Sequence, residues 1–271
     1  MIFDLHVHTN HSDGIFSPEQ IVDLAVKVNL DGIALTDHDT ITGIESAIKY
    51  ANRYNNFMVI PGIEFGCTFK DEEVHILGYF INYQDNNLIK ITNKLKDARL
   101  TRGIEMVKKL NILGLEISLD EVREFSGEEY IGRPHIARAL IKNGYVTDIQ
   151  EAFHKYLDRG KPAYAERYRI TIDETISLIK NIGGIAILAH PGILKNKDII
   201  SHCISLGIDG LECIHSKHSK EDMEYLINIS KSNNLIITGG SDFHGDLVNG
   251  KLILGKYFVN IDTIPQFKER I

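Results

Sequence analysis

The chain has 271 residues, 43% hydrophobic and 25% charged, a globular composition that excludes disorder, collagen and coiled coil for its bulk. Thirty basic against 37 acidic side chains give a net charge of −7, which argues against a general basic coat for nucleic acid but not against a local basic pocket. The length fits a single large α/β barrel, one domain with an insertion, or two domains.

Ile2 to His8 alternates like a strand. Ser17-Pro18-Glu19-Gln20 then opens a helix, with Ser17 as N-cap, Pro18 at the first helical position and Gln20 completing a capping box. Asp31–Thr36 reads as a buried strand, followed by a helix to about Tyr54 and strands at Phe57–Gly66 and Val74–Ile81. After Gln84 the β-rhythm stops. Asn87 to Ile112 has helical periodicity, and further helices are expected at Ser118–Phe125, Arg133–Asn143 and Thr147–Leu157. The β/α rhythm resumes with a helix at Thr171–Asn181, capped by Thr171 and Glu174. Strand Gly184–Ala189, helix Asp198–Leu206, strand Gly207–Ile214, helix Lys220–Asn233, strand Leu235–Gly239 and a last strand at Leu252–Val259 complete the chain.

Repeated β/α units with almost continuously apolar strands imply an α/β fold with a mainly parallel sheet covered by helices. About seven such units favour a closed or nearly closed barrel over an open sheet. The expected division is a barrel domain of residues 1–84 and 166–271, with a helical insertion at 85–165. No run approaches the ~18–20 apolar residues that span a bilayer. The N-terminus shows no signal-peptide pattern, and Cys67, Cys203 and Cys213 form no CxxC pair, so a reducing cytoplasm is the expected location.

The 12 histidines are the unusual feature, because imidazole is the commonest metal ligand. Most of the polar residues of interest fall at the ends of predicted strands: His6 and His8, His38, Glu64, His75, His190, Asp242 and His244. In a (β/α) barrel the C-terminal strand ends form one face, where active sites are built. His6 and His8 are two apart on a strand and share a face, so both imidazoles can reach one ion. The same holds for Asp242 and His244 if the backbone stays extended. Any one of these residues alone reads equally well as a solvated strand end. Their joint placement reads as a metal site, and His, Asp and Glu without Cys suit Zn²⁺, Mn²⁺ or Fe²⁺.

These residues sit within Asp4-Leu5-His6-Val7-His8-Thr9, Ser12-Asp13-Gly14, Thr36-Asp37-His38-Asp39, Pro61-Gly62-Ile63-Glu64, the His75 strand, Ala189-His190-Pro191-Gly192 and Gly240-Ser241-Asp242-Phe243-His244. In that order, from residue 4 to 244, the chain resembles the PHP (polymerase and histidinol phosphatase) family of metal-dependent phosphoesterases. Ile131-Gly132-Arg133-Pro134-His135, Gly160-Lys161-Pro162-Ala163-Tyr164 and His215-Ser216-Lys217-His218-Ser219 are similar to its stand-alone nucleotide phosphatases and 5′-phosphate-dependent exoribonucleases. The resemblance implies a distorted (β/α)7 barrel and three divalent ions. It places one on His6, His8, Glu64 and Asp242, a second on Asp13, His38 and His244, and a third on His75 and His190 with Glu64 bridging. It further implies in-line attack on phosphorus by a metal-activated hydroxide, with no covalent intermediate.

Arg133 is the expected clamp on phosphate oxygens, its alternative being an ion pair with a carboxylate such as Glu129. His135 is a phosphate ligand or proton donor, or else a helix-start residue facing solvent. His215 is a similar candidate at a strand end. Asp37 and Asp39 flank a ligand and can orient it, or Asp39 can cap a helix. Lys161 and Tyr164 line the pocket or form a plain turn. His11, His154, His202 and His218 read as surface residues, and Lys94, Lys96, Arg99, Arg102, Lys108 and Lys109 as mostly a solvated helix face.

The expected substrate is small and phosphorylated: a nucleotide such as 5′-AMP or a 3′,5′-bisphosphate, or a short 5′-phosphorylated oligonucleotide end. No stable nucleic-acid complex and no membrane are expected. Histidinol-phosphate phosphatase is the nearest alternative, and the Gly132-Arg133-Pro134-His135 segment disfavours it. A metal-dependent amidohydrolase is a further one; it lacks the expected strand-end lysine and leaves Asp13 and His75 unexplained.

Overall fold

The computed structural model describes residues 1–70, 72–126, 130–245, 247 and 250–271. Eight strands form one sheet: β1 (Ile2–Val7), β2 (Gly32–Leu35), β3 (Met58–Phe69), β4 (Glu72–Tyr79), β5 (Ile185–Leu188), β6 (Gly210–His215), β7 (Ile236–Gly240) and β8 (Val259–Asn260), in the order β7-β6-β5-β4-β3-β2-β1-β8. Beyond β7 the chain returns to β1. Phe243 N–H donates to the His6 carbonyl at 3.2 Å, and His8 N–H donates to the Phe243 carbonyl at 2.9 Å. These bonds bring the sheet nearly to a closed barrel.

Helices α1 (Pro18–Lys27) and α2 (Ile44–Ala51) cover β1 to β3, and α7 (Ile172–Asn181), α8 (Asp198–Ser205) and α9 (Lys220–Ser232) cover the later strands. Ser17 and Thr171 start their helices with the capping boxes expected from their spacing to Gln20 and Glu174. The strands are buried on nearly every residue because helices close their outer faces.

Two expectations for the sheet are corrected. First, β4 is not parallel: it pairs antiparallel with both β3 and β5. It therefore runs down from the barrel mouth, and His75 lies in its first half, opposite Gly66, rather than at a C-terminal end. Second, the strand expected at Leu252–Val259 shrinks to Val259–Asn260, antiparallel to β1. Gly255, at φ +71°, turns the chain and donates its N–H to Asp4 Oδ2 at 2.9 Å, so pairing starts only after it.

Between β4 and α7 lie α3 (Asn86–Ile112), α4 (Leu119–Ser126), α5 (Arg133–Lys142) and α6 (Ile149–Ala152). The first half of α3 packs Leu88 and Leu95 into the barrel core. Its second half buries Met106, Val107 and Leu110 in a separate apolar cluster with Ile131, Ile136, Leu140 and Leu157. The remaining helix, α10 (Pro265–Lys268), caps the lower end with Phe267 buried against Tyr79. No helix among the described residues is long and apolar enough to cross a membrane.

Candidate metal centre

Local backbone features aim the polar side chains at the mouth. Alternation along β1 and its continuation points His6 and His8 the same way, as their spacing requires. The loop after His8 is tethered by buried Asp37, whose carboxylate accepts the Thr9 N–H at 2.7 Å and the Thr9 hydroxyl at 2.6 Å. Gly14 makes the tight return that follows: a Cβ there would sit 2.7 Å from the His8 carbonyl oxygen. That return places Asp13 beside the ring of His244, which stacks on His8 with centroids 4.0 Å apart. Asp242 and His244 are not on an extended backbone. Asp242 has φ +55°, so the same-face argument does not apply; the turn itself brings their side chains to 3.5 Å.

Glu64, wholly buried on β3, is the hub. Its Oε2 lies 3.3 Å from His6 Nε2, 3.3 Å from His8 Nε2 and 2.9 Å from His38 Nδ1. Its Oε1 lies 2.8 Å from His75 Nδ1 and 3.1 Å from His190 Nε2. Asp242 Oδ1 is 3.5 Å from His6 Nε2 and 3.3 Å from His8 Nε2. Asp13 reaches His244 Nε2 at 3.2 Å, His38 Nε2 at 3.8 Å and His8 Nδ1 at 3.9 Å. All nine residues singled out in the sequence are thus brought together. Eight of them form overlapping groups with donor atoms within 4.8 Å of one another: His6, His8, Glu64 and Asp242; His8, Asp13, His38 and His244; and His38, Glu64 and His75; His190 joins through Glu64 Oε1.

The spacing fits a cation. Four ligand atoms at ~2.1 Å from a tetrahedral ion stand about 3.4 Å apart. The His6, His8, Glu64 and Asp242 group shows 3.3 to 3.5 Å on the four edges given above. These are too long for good hydrogen bonds between the same atoms. His6 Nε2, both ring nitrogens of His8, His38 Nδ1, Asp13 Oδ1 and Glu64 Oε2 are buried without a hydrogen-bond partner. Buried polar atoms left unsatisfied are costly, and a shared ion satisfies all of them at once. Burial pushes Glu64 toward protonation, yet the imidazoles of His38, His75 and His6 hold its carboxyl well below the ordinary range. Burial beside His244 pushes His8 down to about 3, so its ring is neutral and keeps a lone pair.

Glu212, Lys217 and Asp39 support the centre from behind the nine. Glu212, on β6, accepts from His6 Nδ1 at 2.9 Å with one oxygen and from the His190 N–H at 2.8 Å with the other. It fixes the His6 ring so that Nε2 faces Glu64 and Asp242, the role of an outer carboxylate behind a metal-binding imidazole. The signal was present: a glutamate between Leu211 and Cys213 in an otherwise apolar run. Lys217 Nζ lies 2.9 Å from Asp242 Oδ2. Asp39 caps no helix. It is buried and accepts from Arg99 Nε at 2.6 Å and the Gly66 N–H at 2.9 Å, with Arg167 Nη2 at 3.0 Å.

The other expected site residues occupy distinct settings. Glu129 lies outside the described residues. Arg133 pairs with Glu73 at 2.7 Å, and Glu73 in turn stands 3.7 Å from His75 Nε2. His135 does not face solvent. It is fully buried, its Nδ1 accepts the Gly132 N–H at 3.1 Å, and burial lowers its pKa to about 4. His215 is buried with Nε2 3.5 Å from Asp242 Oδ2. Its Nδ1 accepts the Lys217 N–H at 3.1 Å, which leaves Nε2 to carry the proton. His218 is no surface residue: it bonds the Cys213 carbonyl at 2.9 Å and accepts the Gly192 N–H at 3.0 Å. Arg99 and Arg102 are likewise buried rather than solvated. His154 is exposed, and His11 and His202 are half-buried. Tyr164 and Lys161 form the expected turn, with the Tyr164 N–H donating to the Lys161 carbonyl at 3.0 Å.

Comparison with known proteins places this geometry. The model of the PHP domain matches residues 4–186. The chain is 31% identical to a 3′,5′-nucleoside bisphosphate phosphatase of Chromobacterium violaceum, covering 92% of this chain and 89% of that one. It is 30% identical to the 5′-3′ exoribonuclease Rnm of Escherichia coli, over 90% and 85% of the two chains. The solved structure of a protein from Bifidobacterium adolescentis, described as a metal-dependent phosphoesterase, superposes with a TM-score of 0.90 at 31% identity, over 99% and 96% of the chains. Family match, relatives and the shared fold agree: the chain belongs to the PHP family of metal-dependent phosphoesterases.

Proposed function

We propose that the protein hydrolyses a phosphate ester of a nucleotide, such as 5′-AMP or a 3′,5′-bisphosphate, or of a short 5′-phosphorylated oligonucleotide end. The observation that carries this reading is the near-tetrahedral spacing of donor atoms from His6, His8, Glu64 and Asp242, those of the two histidines and Glu64 having no hydrogen-bond partner. Relatives named as a bisphosphate phosphatase and an exoribonuclease supply the substrate class. Three divalent ions fit the donor set, with Asp13, His38 and His244 beside the first group and His75 and His190 on the far oxygen of Glu64. Mixed nitrogen and oxygen donors suit Mn²⁺, Fe²⁺ or Zn²⁺. Such ions activate water by lowering its pKa to about 7 and offset charge on phosphoryl oxygens.

The protein's own residues do the rest. Glu212 holds the His6 ring, and Asp37 holds the loop that carries Asp13. Arg133, steadied by Glu73 and lying over the Phe153 ring, takes non-bridging phosphate oxygens with its planar fork. His215, buried with Nε2 facing Asp242, is placed to donate a hydrogen bond to a substrate oxygen. His135, buried and neutral, contacts the substrate from the start of α5. Residues 85–165 form the wall that selects the leaving group, beside a barrel domain of residues 1–84 and 166–271. Three buried free cysteines suit a reducing cytoplasm.

A phosphate-release screen tests the reading. It compares 5′-AMP, adenosine 3′,5′-bisphosphate, histidinol phosphate and a 5′-phosphorylated oligonucleotide, with Mn²⁺, Zn²⁺ and Mg²⁺ each supplied. Release from a nucleotide substrate well above that from histidinol phosphate is expected. No release from any nucleotide substrate by metal-loaded protein contradicts it.

A further inference from the structure

Asp13 is the only carboxylate in the group of His8, Asp13, His38 and His244, and it sits on a turn rather than on a strand. Ser12 and Gly14 close that turn, each donating its N–H to the Thr9 carbonyl at 3.0 Å. Asp37 holds the earlier part of it, where its carboxylate accepts from the Thr9 N–H, the Thr9 hydroxyl and the Ser12 hydroxyl. Asp13 itself makes none of these bonds.

A distant element holds it. Half-buried Arg138, on α5, donates from Nη1 to the Asp13 carbonyl at 3.1 Å, the one hydrogen bond this carbonyl accepts among the described residues. Gly132, just before α5, packs on the same turn: a Cβ there would lie 3.6 Å from the Asp13 Cβ. His135 and Arg138 are three apart on α5, so one helix face carries both. By charge alone, a guanidinium beside this group works against a bound cation. By geometry it works for one. Ligands have to be held within ~0.5 Å of their bonding positions, and a carboxylate on a turn has fewer restraints than one on a strand.

We propose that Arg138 is a positioning residue of the metal centre, which fixes Asp13 and so sets the affinity of the ion shared by Asp13, His38 and His244. This role rests on the metal-centre reading above. It adds that the helical segment between β4 and α7 supports an ion as well as walling the substrate. The group of His6, His8, Glu64 and Asp242 has two carboxylates of its own, one on β3 and one after β7, and neither bonds Arg138 among the described residues. The effect of Arg138 therefore falls on one ion rather than on all.

The test counts bound ions per chain on full-length protein dialysed against a series of buffered free Mn²⁺ concentrations, and measures phosphate release from adenosine 3′,5′-bisphosphate at each. Arg138→Met is expected to weaken one ion by about 10- to 100-fold, the cost of losing an outer partner, and to leave the others at their wild-type affinity. Phosphate release is expected to fall at low Mn²⁺ and to regain the wild-type kcat at saturating Mn²⁺, with KM for the nucleotide unchanged. Arg138→Lys keeps a donor and is expected to recover part of the affinity; it decides the point if Arg138→Met does not fold. Asp13→Asn is expected to weaken the same ion. In that background Arg138→Met should cost less than about twofold more, because both changes act through one carboxylate. Additive losses overturn the proposal. So does Mn²⁺ binding that is unchanged or tighter in Arg138→Met, the latter being the sign expected of charge alone. Equal weakening of every ion with a lower Tm marks damage to the fold and overturns it too, as does a raised KM with unchanged ion binding, which marks a substrate contact. Wild-type protein that binds no ion overturns this role and the proposed function together. Ions bound as expected, with no phosphate released from any nucleotide, contradict the proposed function alone.

Discussion

Replacement of Glu64 by glutamine is expected to abolish metal retention and to reduce phosphate release by more than about a hundredfold, beyond the ~10–100-fold that loss of an outer partner costs a metal site. The change is almost isosteric, so its effect isolates charge and donor chemistry. Glu64 alone faces five imidazoles, those of His6, His8, His38, His75 and His190. A glutamine amide offers one acceptor where two carboxylate oxygens now serve two groups of donors, and its NH₂ points at lone pairs that should face an ion. Metal analysis of the purified variant beside its phosphate-release rate checks this. Full metal content with wild-type rate would show that Glu64 is no ligand.

Asp39→Asn is expected to lower stability by about 3–5 kcal/mol, the cost of breaking a buried pair by removing one partner. The effect is large because Asp39 serves two buried guanidiniums at once, Arg99 from α3 and Arg167 from the return segment. It joins β2, β3 and the helical segment at a single carboxylate, since Gly66 N–H also donates to it. Denaturant unfolding measures the change, and a loss below about 1 kcal/mol would mean that the guanidiniums find other partners.

The residues most legible in the sequence were those governed by local rules. Strand alternation gave the shared face of His6 and His8. Capping boxes gave the starts of α1 and α7. Strand direction was less legible: β4 carries the same buried apolar pattern whether parallel or antiparallel, because both faces are covered either way. Charge partners between distant segments were not legible. Arg99 and Arg102 look like a solvated face until the return segment brings Arg167 and the β2 loop brings Asp39. His218 looked exposed because its burial depends on the Gly192 turn folding back over it. Glu212 broke a local rule, a charge within an apolar strand, and such breaks mark functional positions.

The proposed metal centre on His6, His8, Glu64 and Asp242 makes phosphate release depend on bound divalent ions. Its most direct test is phosphate release from adenosine 3′,5′-bisphosphate by one protein sample with its metal content measured: as purified, after chelation, and after Mn²⁺, Fe²⁺ or Zn²⁺ is restored. Activity that falls with the metal and returns with it to at least one ion is the predicted result. Undiminished release from metal-stripped protein would contradict the account.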